Sequence, residues 1–129
     1  MKKIKTLLAL CMVVILGSSM VYAGTSYSDY STTVGRFNGN GYTSYQTKSI
    51  SGANGDLYSS SVGADYVVDA RMQESDGTAG SWTRDVTDST NYELDGHVNH
   101  SSGDSVRVHF SNDWNTTVNV QVTGSWRSN

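Results

Sequence analysis

The sequence predicts an all-β protein: a single antiparallel β-sandwich or small barrel of about seven short strands, preceded by a signal-peptide helix. Three observations lead there. Apolar and polar residues alternate at a period of two in several separate runs, the pattern of strands with one buried face. Clusters of Gly, Asn, Asp and Ser punctuate the chain between those runs, and proline is absent. No stretch after residue 23 carries a convincing helical period.

The chain opens on Met1-Lys2-Lys3-Ile4-Lys5, runs apolar from Leu7 to Leu16, and passes through Gly17, Ser18 and Ser19 to Ala23. A basic start, an apolar run of roughly ten residues and small residues before the cut are the layout of a secretory signal peptide, with cleavage expected after Ala23. The run is too short for a membrane anchor, which needs about 20 apolar residues. A lipoprotein would want a small residue before Cys11, where Leu10 stands. Residues 24–129 are then one secreted domain. Cleavage removes the only cysteine and three of the nine basic residues, leaving 6 Lys and Arg against 12 Asp and Glu, a formal charge of −6 in place of −3. That balance offers no hold on nucleic acid or anionic lipid, and no membrane span follows the leader. Without cysteine there is no disulfide framework, which fits a bacterial exported protein. About a hundred residues suffice for one core, held by burial alone.

Taken in order, Gly24 to Ser28 is a lead-in. Asp29 to Phe37 has the Tyr, Thr and Val content of a strand, and Tyr42 to Ile50 is its expected return. Between them Asn38-Gly39-Asn40-Gly41 is the strongest hairpin signal in the chain, because Asn and Gly tolerate positive φ. Ser51 to Asp56 reads as a loop, and Leu57 to Ala64, with its three serines, is the least legible stretch. Tyr66, Val68, Ala70 and Met72 share one face of a core strand that ends at Glu74. Ser75 to Gly80 turns through Asp76-Gly77, and Trp82, Arg84 and Val86 suggest a short strand.

Three further alternating runs carry Tyr92, Leu94, Gly96 and Val98; then Val106, Val108 and Phe110; then Val118, Val120, Val122 and Trp126. Parity registers them as two hairpins. A loop over 100–104 sets Leu94 opposite Phe110 and Val98 opposite Val106; a loop over 112–116 sets Phe110 opposite Val118 and Val108 opposite Val120. A slip of one residue would mix the faces.

On that register Glu93, Asp95, His97, Arg107 and His109 share one solvent side, with Asp95 opposite His109 and His97 opposite Arg107. A catalytic reading makes Asp95 and His109 an acid and base, or makes His97, His109 and a carboxylate a metal site. The ordinary reading is cross-strand charge pairing, worth about 0.2–1 kcal/mol. No nucleophile comes with its own base, and His97 and His100 would leave an extended strand on opposite sides. Acidic residues recur in turns, at Asp56, Asp76, Asp88, Asp104 and Asp113, without the spaced series of a calcium loop. No catalytic residue, metal site or cofactor is therefore expected.

The aromatics divide by position. Trp126 is in phase with the core valines, and Trp82 packs. Trp114, at the expected hairpin tip, either stacks on a sugar or partner or folds over the open end. Tyr27, Tyr30, Tyr42 and Tyr45 form an aromatic and polar strip in the first hairpin. The binding candidates are Trp114, Tyr42 and Tyr45.

The leader, the cysteine-free polar chain, the run Ser102-Gly103-Asp104-Ser105-Val106-Arg107-Val108 and the close Val122-Thr123-Gly124-Ser125-Trp126 resemble small secreted proteins of Gram-positive bacteria that have no assigned activity. In size and export the chain is also similar to small β-sandwich bacteriocins of the lactococcin type, from whose basic, His-rich, aromatic-ended pattern it departs. The expected function is a non-enzymatic exported protein that binds an unknown extracellular or cell-wall ligand. An antimicrobial or competition protein and a small hydrolase using Asp95 and His109 are the alternatives. With no proline and one lysine after the leader, the strand edges are poorly guarded, so self-association through them is a further expectation.

Overall fold

The structure is a computed structural model and describes residues 24–129; the expected signal peptide lies outside the described residues. Nine strands follow in order: β1 (Ser28–Val34), β2 (Asn40–Tyr42), β3 (Gln46–Thr47), β4 (Gly55–Val62), β5 (Val68–Glu74), β6 (Thr83–Val86), β7 (Thr90–Leu94), β8 (Ser105–Asn112) and β9 (Val120–Arg127). No helix occurs among the described residues. The strands form two antiparallel sheets. One has the order β1-β9-β4-β7; the other has the order β2-β8-β5-β6, with β3 also on β8. The sheets do not close into a barrel, so of the two expected architectures the sandwich is the one observed.

The inward faces are those the alternation marks. Val68, Ala70 and Met72 of β5 and Val106, Val108 and Phe110 of β8 are fully buried, and Leu94, Val120, Val122 and Trp126 are at most 1% exposed. Tyr30 of β1 meets Phe110 of β8 across the core with ring centroids 5.2 Å apart. Polar side chains staple the sheets along one side. Gln46 of β3 donates to the Trp126 carbonyl at 2.9 Å and accepts from the Ser128 amide at 2.9 Å. Asn112 of β8 donates to the Val34 and Gly35 carbonyls at 3.1 and 2.9 Å.

The expected hairpins are not formed, with one exception. β7 pairs with β4, β8 with β5, and β9 with β1 and β4. Leu94 therefore does not pair with Phe110, nor Val108 with Val120. Parity shows only which way each strand faces, and a strand pair in one sheet satisfies it as well as two strands facing across a core. An extended residue covers about 3.3 Å, so the segments 95–104 and 113–119 easily cross the roughly 10 Å between sheets. Val98 and Val118 fall in those crossings and are 85% and 44% exposed.

The first hairpin meets the same correction. Phe37 and Asn38 do adopt positive φ, 53° and 57°, and the Gly35 amide bonds the Asn40 carbonyl at 3.1 Å. Past this turn the strands part, β1 to β9 and β2 to β8. The hairpin that does form is β5–β6, around Asp76-Gly77: Gly77 has φ 95°, and the Asp76 carboxylate accepts from the Thr78 amide at 2.9 Å.

Candidate functional site

The outward face of the five-stranded sheet is built by the residues that alternate with its core. Tyr42 of β2 is in register with His109 of β8, and His109 with Arg71 of β5. Arg107, two residues before His109, is in register with Gln73. Trp82 lies immediately before β6, at the far edge from Tyr42. These side chains stack. The Arg107 guanidinium lies over Tyr42 at 3.8 Å from the ring centroid and 5.1 Å from that of Tyr45. The His109 ring stacks on Tyr42 and meets Trp82 at a tilt, both at 4.9 Å. Arg71 and Arg84 lie 4.2 and 5.7 Å from the Trp82 ring. Cations placed over aromatic faces in this way contribute about 0.5–2 kcal/mol each, more where water is excluded.

The hydrogen bonds define the protonation state of the centre. Arg71 Nε donates to His109 Nδ1 at 3.2 Å, and Nδ1 must therefore be an unprotonated acceptor. Its Nε2 lies 2.7 Å from the Asn40 side-chain oxygen and is the ring's donor. Burial, and then the charges of Arg71 and Arg107, push the His109 pKa down from 6.5 to about 4, so the imidazole is neutral at pH 7. Arg84 forms an ion pair with Asp69 at 2.6 Å. Arg71 and Arg107 have no ion-pair partner among the described residues.

Two sequence-derived candidates, Tyr42 and Tyr45, thus both lie against Arg107, 39% and 40% exposed. Trp114 is not part of this group. It is 78% exposed on the β8–β9 crossing, whose carbonyls at Asp113 and Thr116 accept the Asn38 and Phe37 amides. Arg71, Trp82 and Arg107 were not among the candidates. The outward positions of Arg71 and Arg107 are readable from Met72 and Val108, whereas Trp82, expected to pack, lies half-buried on this face; the neighbours of all three depend on the strand order.

The expected pairing of Asp95 with His109 is not formed, nor that of His97 with Arg107. Asp95 and His97 follow β7 of the other sheet, and His109 is 7% exposed and bonded to Asn40 and Arg71. His97 and His100, expected on opposite sides, contact each other at 5.4 Å because the chain is not extended there. Among the described residues no group of three His, Cys, Asp or Glu is arranged to hold a metal ion.

Two concavities lie elsewhere. One, of about 370 Å³, opens on the four-stranded sheet between Asp29 and Tyr58; it is lined by serine and threonine hydroxyls and gathers no basic group. The other, of about 350 Å³, is lined by Glu74, Asp76 and Asp104. Burial, with a hydrogen bond and the charge from Asp104, raises the Glu74 carboxyl to about 7. The Asp104 carboxyl is lowered, first by its bond from the Ser101 amide and then by Glu74. Glu74 and Asp104 thus share a proton near neutral pH.

No family model matches this chain, and no curated protein matches it.

Proposed function

We propose that this chain is a non-enzymatic, exported bacterial protein that acts by binding, outside the cell or at the cell wall, through the outward face of its five-stranded sheet. One observation carries the reading: Arg107 is stacked against two exposed tyrosines and Arg71 against Trp82, with neither arginine neutralised by a carboxylate among the described residues. Ordering long cationic side chains against aromatic rings on an exposed face leaves large contact area with little entropy left to lose on binding. Export is supported by the basic and apolar layout of residues 1–23. The hydrolase alternative loses its basis with the Asp95 and His109 pairing.

The test is retention of purified protein on intact bacteria and on wall fragments. Tyr42→Ala and Arg107→Ala are expected to abolish retention while remaining folded, at a cost of about 0.5–2 kcal/mol in stability for the lost stacking. Undiminished retention of both variants would exclude this face as the contact.

A second reading, an antimicrobial or competition protein, is supported by Phe37 and Trp114, 57% and 78% exposed on two loops bonded to each other. A clear zone on a lawn of related bacteria, lost in Trp114→Ala, is its expected signature. The acidic balance of the chain argues against lysis by an amphipathic cationic surface.

A further inference from the structure

Only six basic residues follow residue 23, in a stretch carrying 12 carboxylates. Lys48 is buried, and Arg127 is paired with Asp56 at 2.7 Å. Three of the remaining four, Arg71, Arg84 and Arg107, are gathered on the one sheet face that also carries Tyr42, Tyr45 and Trp82. Random placement on an acidic surface would scatter them among the carboxylates. Here the acid on the face, Asp69, is taken by Arg84, which leaves Arg71 and Arg107 as a local positive field.

Most terminal nitrogens of these two groups are uncommitted among the described residues, whereas Arg107 Nε is buried without a partner. Arg71 commits only its Nε, to His109, and Arg107 commits one terminal nitrogen, to Gln73 at 3.3 Å, among the described residues. A guanidinium held flat on a ring points its remaining N–H groups sideways, in the plane where a carboxylate or phosphate accepts two of them. Arg71 and Arg107 stand diagonally on adjacent strands, a separation of about 7–8 Å at the backbone. Duplex nucleic acid, by contrast, carries roughly one charge per 1.7 Å of its axis. A densely charged polymer would also meet the chain's many carboxylates. Sparse anions carried on rings, one for each arginine, suit two separated cations, and the Tyr45 ring, 40% exposed with Arg107 5.1 Å from its centroid, offers a flat apolar surface on which the C–H face of a sugar lies.

We propose that this face binds an acidic saccharide, its carboxylate or phosphate groups held by Arg71 and by Arg107, which Tyr42 helps to position, and a sugar ring stacked on Tyr45. The proposal rests on the assignment of this face as the contact and names what occupies it. Anion binding beside His109 opposes the two arginine charges that keep the imidazole neutral, so binding near pH 5 takes up a proton.

Calorimetric titration at low salt with polygalacturonate, a phosphomannan and neutral dextran tests it. At least one charged polymer is expected to bind and dextran is not; which charged polymer binds identifies carboxylate or phosphate as the anion. Arg71→Gln and Arg107→Gln should each weaken binding about tenfold or more, with Val98→Ser, on the exposed 95–104 crossing, as the unaffected control. The heat measured at pH 5 should depend on the ionisation enthalpy of the buffer, as proton uptake requires. Equal binding of dextran, unchanged affinity in the folded arginine variants, or no binding of either charged polymer overturns the proposal. Should wall fragments still retain the protein through Tyr42 and Arg107 while all three polymers fail, the binding face stands and the acidic saccharide falls.

Discussion

Lys48 is the residue whose environment departs most from its chemistry. It is 1% exposed, and its ammonium donates to the Ser128 carbonyl at 2.6 Å and to the Ala53 carbonyl. No carboxylate pairs with it among the described residues, and burial lowers its pKa from 10.5. The cost of desolvating the ammonium is offset by bonds to carbonyls that no other donor reaches among the described residues. Lys48→Met keeps most of the stem and removes the donors, so the buried Ser128 carbonyl and the half-buried Ala53 carbonyl lose their partner. We expect a loss of about 2–3 kcal/mol in urea denaturation; a midpoint equal to wild type would mean that these bonds contribute nothing net. The sequence marks Lys48 as the only lysine after the leader, but in a polar stretch it reads as a solvated side chain, and only the approach of Ser128 and Ala53 buries it. Much the same holds at the candidate site. Tyr42, Tyr45 and the outward turn of Arg107 and His109 were legible from local pattern, whereas Arg71 and Trp82 join them through β5 and β6, whose order in the sheet no local pattern encodes.

At the scale of elements, β4 shows why alternation can fail on a central strand. It pairs with both β7 and β9, yet its inward positions include Gly55 and Ser59, and a bulge between Ser59 and Ser61 shifts the phase before Val62. The apolar signal is therefore diluted and then displaced by one residue, which is why Leu57 to Ala64 was hard to read. The opposite case is β8, whose valines alternate without interruption and whose inward face was predicted correctly even though its partners were not. The bulged region also sets a steric limit on β9. A Cβ on Gly124 would run into the Tyr58 carbonyl oxygen and the Tyr30 ring, and moving that carbonyl means moving the strand. Gly124→Ala should cost about 2 kcal/mol or more. At Gly63 a new Cβ would find only ordinary contacts, the nearest at 3.5 Å, so Gly63→Ala should be neutral or stabilise by up to about 1 kcal/mol. Urea midpoints of the pair decide it: equal effects would show that the close approach at Gly124 relaxes freely.

For the molecule as a whole, two groups of opposite sign shape the dependence of stability on pH. Folded His109 titrates near 4, against 6.5 for a free imidazole. Between those values the unfolded chain holds more protons, so this group makes stability rise with pH, by at most about 3 kcal/mol, and the gain is complete above 6.5. Folded Glu74 titrates near 7, against 4.5 for the free carboxyl. Between those values the folded chain holds more protons, so this group makes stability fall as pH rises. The windows overlap from 4.5 to 6.5, and the two slopes oppose each other there. Wild-type stability should consequently be nearly flat across that interval. Glu74→Gln keeps a donor for Asp104 and removes the titration, which exposes the His109 slope: the variant should gain stability steeply from pH 4.5 to 6.5 and exceed wild type above pH 7. His109→Gln should do the reverse and lose stability from pH 4.5 to 7. Urea denaturation across pH 4–8 separates the three profiles. A wild-type curve already as steep as that of Glu74→Gln would mean that Glu74 is ionised throughout the folded range, and the proton it shares with Asp104 would have to be given up.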